Sequence, residues 1–156
     1  MNQAKLINYL VSKGVFVTKH SGRSLGDHLL NTYEMLLNAN VKPEVCMAGA
    51  LHSIYGTNAF QAQTVTDRQE IKITFGENVE HLAFLFSISN RPKGIETGNL
   101  INRHTNEVIE VSPVTLRNLR LIEAANLLEQ RLNILRYPNI KQTWEDQIAN
   151  VSSSNI

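Results

Sequence analysis

Apolar residues recur every three to four positions along most of this chain, which is the period of an amphipathic helix. Leu6, Ile7, Leu10 and Val11 form one stripe, so a first helix is expected over Gln3 to Ser12, stopped by Gly14. Val15 to Gly26 reads as a loop. A second helix is expected from near Asp27, which is placed to cap exposed backbone N–H groups, with Leu29, Leu30, Tyr33, Leu36 and Leu37 on its apolar side. A third follows the Asn38 to Lys42 turn, with Pro43 and Glu44 at its start and Val45, Met47, Ala48, Ala50 and Leu51 along it. The small residues Ala48, Gly49 and Ala50 let a neighbouring helix approach closely, as the centre of a bundle requires.

Gly56-Thr57-Asn58 breaks the pattern, and Ala59 to Thr66 is a polar connection. Asp67 is expected to cap a short helix ending before Phe75-Gly76. Another helix opens at Glu77 and carries Val79, Leu82, Ala83, Leu85 and Phe86. Asn90 to Ser112 has the least regular pattern, with Pro92 and Gly94 as breakers and strand expected at most near Ile101 to Val111, where Val108-Ile109 and Val111 read as a short strand or as packed loop. Ser112 as cap and Pro113 at the first position open a long helix with Leu116, Leu119, Ile122, Leu127, Leu128 and Leu132. Trp144 belongs to a last short helix, and residues 151–156 form a frayed tail. The prediction is an all-α, single-domain bundle of about six or seven helices over residues 1–150.

The 156 residues suit one core. With 15 Lys plus Arg against 14 Asp plus Glu and no basic stripe, nothing in the charge pattern points to nucleic acid. No run of eighteen apolar residues predicts a membrane span. The first residues make a poor signal peptide, so a cytoplasmic protein is expected. Cys46 is the only cysteine and sits in an apolar helix pattern, which reads as a buried, inert thiol.

The histidines change the picture. If the second and third helices are antiparallel, His28 in the first turn of one meets His52 at the end of the other, and His20 in the preceding loop folds over the same end. A His at a helix end is also commonly a polar group satisfied by backbone. Asn126 lies between Ala125 and Leu127 on the long helix, so it is expected to be partly buried and to need partners. His28, His52 and Asn126 are expected to face one cavity within about 10 Å. Glu123 and Glu129 read as solvated helix positions, His81 as helix surface and His104 as loop.

These motifs, taken in order, resemble the HD superfamily of helical metal-dependent phosphohydrolases, nearest the branch that cleaves guanosine tetraphosphate. The resemblance spans roughly His20 to Gln130. It rests on Ser21-Gly22 ahead of His28, on Ala48-Gly49-Ala50-Leu51-His52-Ser53, on Asp67, Glu70, Phe75-Gly76 and Val79, and on Ala124-Ala125-Asn126 through Gln130. It implies the HD-type bundle and metal ligation by His28 and His52. Ser53 and Asn126 stand where the resemblance implies Asp ligands. Gly56 and Thr57 stand where it implies a Glu-Asp pair that readies the attacking water.

With those carboxylates absent, a two-metal hydrolytic centre is not expected. One divalent ion (zinc, manganese or iron) on His28, His52 and His20 is one reading, and no metal at all is the other. A pocket lined by His20, Arg23, His28, His52, Ser53 and Asn126 would tolerate an anion, with Arg23 making a two-pronged contact to phosphate or carboxylate. Two functions therefore remain open. One is a divergent metal-dependent phosphohydrolase acting on a nucleotide or phosphate ester. The other is an inactive small-molecule or nucleotide-binding relative, monomeric or homodimeric. Oxygen chemistry on such a frame needs the same missing Asp residues.

Overall fold

In the computed structural model the chain is all-α. Residues 3–20, 22–56 and 67–154 are described, His20 by its backbone only. Helix α1 spans Gln3–Ser12 and buries Leu6, Tyr9 and Leu10. A hairpin of two-residue strands follows, β1 (Lys19–His20) antiparallel to β2 (Arg23–Ser24), where the sequence suggests a loop. Helix α2 runs Leu25–Asn38. Its cap is Ser24 rather than Asp27. The Ser24 hydroxyl accepts from the Asp27 N–H at 3.0 Å and donates to the Asp27 carboxylate at 2.7 Å, so both residues serve one helix start.

Helix α3 covers Pro43–Ala50, and a turn carries the chain on through His52 to Tyr55. A Cβ on Gly49 would sit 2.3 Å from the Leu36 side chain, so glycine lets α2 and α3 approach at this level. Helices α4 (Arg68–Phe75) and α5 (Glu77–Ile88) follow, with Asp67 capping α4 as expected.

The segment from Asn90 to Ser112 is better organised than its pattern suggests. It holds a one-turn helix, α6 (Lys93–Thr97), and two isolated bridges, Ser89 to Asn102 and Ile101 to Val108. Buried Glu96 accepts from the N–H groups of Asn139 and Ile140 at 2.8 and 2.9 Å, which anchors α6 to the start of the last helix. These bonds join residues more than forty positions apart, and no local period announces them.

Helix α7 (Pro113–Glu129) begins with the Ser112 cap and Pro113. It buries every residue from Leu121 to Leu127 and packs against α2, α3, α5, α6 and α8, so it is the central helix. A 3-10 turn (Ile134–Arg136) leads to α8, Pro138–Ser154. Helix α8 is long where a short one is expected, and it continues to Ser154 through residues read as a frayed tail. Its contacts with α7 and α6 supply the tertiary support that its weak apolar pattern does not advertise. The described residues thus hold eight α-helices, more than the six or seven expected. Among them, no helix is long and apolar enough to cross a membrane.

Cys46 is fully buried. Its thiol lies 3.4 Å from the Val41 carbonyl oxygen, and burial pushes its pKa up to about 11. The folded protein is therefore expected to resist iodoacetamide at pH 8 and to react only after unfolding in urea. Rapid alkylation of the native protein, followed by mass spectrometry, would contradict this placement.

Candidate functional site: a buried histidine pair

Antiparallel α2 and α3 do bring His28 and His52 together. Both side chains are buried, their rings meet edge to face at 5.0 Å, and the two Nε2 atoms are 3.1 Å apart. Asn126, from the last turn of α7, places its Oδ1 at 2.9 Å from His28 Nε2. The cavity expected within about 10 Å is thus a direct contact.

The hydrogen bonds around these three groups fix what each can offer. His52 Nδ1 lies 2.6 Å from the Gly49 carbonyl oxygen, which can only accept, so the proton sits on Nδ1 and Nε2 carries the lone pair. The Asn126 amide donates through Nδ2 to Glu123 Oε1 at 3.0 Å, which turns its Oδ1 towards His28. Glu123 is held in turn by Arg91 in a two-pronged pair, with both N–O distances 2.6 Å. Both side chains are buried, and the Arg91 guanidinium lies 4.9 Å over the Phe86 ring. His52 also meets Phe86 edge to face at 5.2 Å.

On the other side, His28 Nδ1 bonds to a Glu129 carboxylate oxygen. Glu129 is also paired with Arg23, and it accepts from Asn31 Nδ2 at 3.2 Å. Burial would raise the Glu129 pKa, but the bonds from His28, Arg23 and Asn31 outweigh it and hold the carboxyl below its ordinary value. Burial also lowers the His28 pKa, against the pull of Glu129 and Asn126. Its Nδ1 faces Glu129 and its Nε2 faces His52 Nε2 and Asn126 Oδ1, and the same Oδ1 accepts from Gln130 Nε2 at 3.0 Å. Two imidazole nitrogens and an amide oxygen thus converge on one spot.

The picture of a pocket free of carboxylates is therefore wrong. Glu129 and Glu123, read from the sequence as solvated, have side chains only 4% and 0% exposed. A buried carboxylate needs paired cations and donors, and Arg23, His28 and Asn31 on one side and Arg91 and Asn126 on the other supply them. One signal for this was in the chain. Glu123, Asn126 and Glu129 recur at three-residue steps, which puts them along one side of α7 beside the buried Asn. Arg91 and Asn31 carry no such signal, because their partners lie 32 and 98 positions away.

The remaining candidates separate. Arg23 reaches the site only through Glu129. Ser53 is buried in the turn after α3, and its hydroxyl makes no hydrogen bond to His28, His52 or Asn126. Gly56 has φ +80°, a left-handed conformation that disfavours an acidic side chain there. Thr57 and the side chain of His20 lie outside the described residues. His81 and His104 are exposed, as expected. Among the described residues no three His, Cys, Asp or Glu side chains converge, since the third donor here is an amide.

Arg23 and Glu129, with Gln130, Arg131 and Leu132, line a cleft of about 480 Å³ beside the buried pair. A family model described as Domain of unknown function (DUF6817) matches residues 9–91, from within α1 through α5 to Arg91. The match includes both histidines and stops short of α7. No curated protein and no solved structure matches the chain. With more than half of its length matched, the chain belongs to the DUF6817 family.

Proposed function

We propose that this protein is a divergent HD-type domain that holds one divalent metal ion on His28 Nε2, His52 Nε2 and Asn126 Oδ1 and acts on a phosphate-bearing small molecule. The observation that carries the reading is the convergence itself. His52 Nε2 and Asn126 Oδ1 lie within 3.1 Å of His28 Nε2, and each imidazole has its Nδ1 committed to a protein acceptor. Donor atoms sharing one first-row ion at about 2.1 Å sit about 3 Å apart when adjacent. A carboxylate or carbonyl behind each ligating imidazole is also the usual outer support of such sites.

The donor set fits one ion and not two. Two imidazoles and an amide oxygen are neutral, which suits zinc or iron better than a hard, carboxylate-seeking cation. Glu129 supplies negative charge one bond removed. When bound, a metal at this position supplies Lewis acidity towards a phosphoryl oxygen and acidifies a coordinated water.

The chain's own residues set the rest. Glu129 holds the His28 proton at Nδ1, and Arg23 and Asn31 keep Glu129 in place. Arg91 and Glu123 fix the orientation of the Asn126 amide. The acids that the resemblance implies for readying water are replaced by Gly56 and Thr57, so slow turnover or ligand binding without turnover is expected.

Elemental analysis of untagged protein tests the reading. About one metal per chain is expected in the wild type, falling at least tenfold in H28A/H52A. A metal-free wild type that also fails to bind added zinc, manganese or iron in calorimetry would refute it.

A further inference from the structure

Helix α7 ends in a tight reversal. The Arg131 N–H donates to the Leu128 carbonyl at 2.9 Å and the Leu132 N–H to the Leu127 carbonyl at 2.9 Å, with Arg131 at φ +60°. This bond pair is the one that usually places glycine at the left-handed position. Arginine carries a Cβ that disfavours this backbone, so the local fold gains nothing from it. What arginine adds is a charged side chain at a residue that lines the cleft with Arg23 and Gln130. Among the described residues Arg131 has no ion-pair partner, and it is exposed. Two guanidiniums therefore border the cleft against one carboxylate, and that carboxylate, Glu129, is already shared between Arg23, His28 and Asn31.

We infer that Arg131 and Arg23 form an anion clamp that anchors a phosphate group of the small-molecule ligand in the cleft beside the histidine site, to which Glu129 connects it. The cleft, about 480 Å³, is of the size that holds a nucleotide-sized molecule. Two planar forks of N–H donors suit the several oxygens and double charge of a phosphate. Glu129 sits where it competes with the incoming anion for Arg23. Arg131 is free of that competition and is the stronger anchor. Strained backbone at a ligand contact is a familiar companion of such sites. The clamp rests on the proposed function for its choice of phosphate, but it needs no metal.

The test uses EDTA-treated protein and inorganic pyrophosphate, titrated by calorimetry in chloride buffer. The wild type is expected to bind one pyrophosphate per chain saturably. Arg131→Gly is expected to melt at a higher temperature, because strain is relieved, yet to bind pyrophosphate about tenfold or more weakly. If the glycine variant does not fold, Arg131→Asn serves, since Asn tolerates the same conformation. Glu129→Gln is expected to tighten binding by freeing Arg23. Unchanged affinity in the Arg131 variants, or no saturable binding by the wild type, overturns the clamp. Citrate binding as tightly as pyrophosphate overturns the assignment to phosphate. A protein that binds pyrophosphate but no metal retains the clamp and loses the metal reading.

Discussion

Replacing Glu123 by alanine should cost this fold about 3–5 kcal/mol, the usual penalty for removing one partner of a buried ion pair. Glu123 is fully buried and carries two charge-assisted bonds to Arg91 and one from Asn126. Its loss leaves a buried guanidinium without its carboxylate and frees the amide to rotate away from His28. At roughly 2–4 °C per kcal/mol for a domain of this size, the melting temperature should fall on the order of 10 °C. Glu123→Gln keeps hydrogen-bonding capacity without the charge and should lose less. Urea denaturation of both variants measures the difference. A Glu123→Ala protein as stable as the wild type would show that the Arg91 pair is not buried as described.

The second large effect concerns Asn126. The sequence resemblance suggests restoring acids at Ser53 and Asn126 together, and of the two it is Asn126 that contacts His28. Ser53 shares no hydrogen bond with the histidines, whereas Asn126 Oδ1 is in direct contact with His28. Asn126→Asp is therefore expected to raise affinity for manganese or iron about tenfold or more, because a charged oxygen offsets the ion's desolvation where a neutral amide does not. The same change should weaken the metal-free protein. It replaces the Nδ2 donor, 3.0 Å from Glu123 Oε1, by a second acceptor, and two carboxyls so close cannot both be charged without cost. Titration calorimetry and melting curves with and without manganese read both effects. Unchanged metal affinity in a folded Asn126→Asp variant would exclude Oδ1 as a ligand.

Helix positions were legible because apolar period, caps and breakers agree. Gln3–Ser12, the Asp67 cap, the Glu77 start and the Ser112-Pro113 start all stand where those local signals put them. The site was half legible. Antiparallel α2 and α3 follow from a short turn, and that alone brings His28 near His52. The fates of Glu123 and Glu129 were not legible, because a glutamate on a helix has the same local pattern whether it meets water or a buried arginine.

The helical class, the burial of Cys46 and the pairing of two helix ends that carry histidine could all be read from the chain before it folds. Those depend on periodicity, turn length and residue size, which are local. Tertiary structure alone decided which polar groups are sealed in. It laid α7 against α2, α3 and α5 and so enclosed Glu123, Asn126 and Glu129 with Arg91, Arg23 and His28. It also set what each imidazole faces, the Gly49 carbonyl at Nδ1 of His52 and acceptors at both nitrogens of His28, Glu129 at Nδ1 and Asn126 at Nε2. Charge and tautomer are properties of a packed neighbourhood, and the chain acquires that neighbourhood only when distant segments meet.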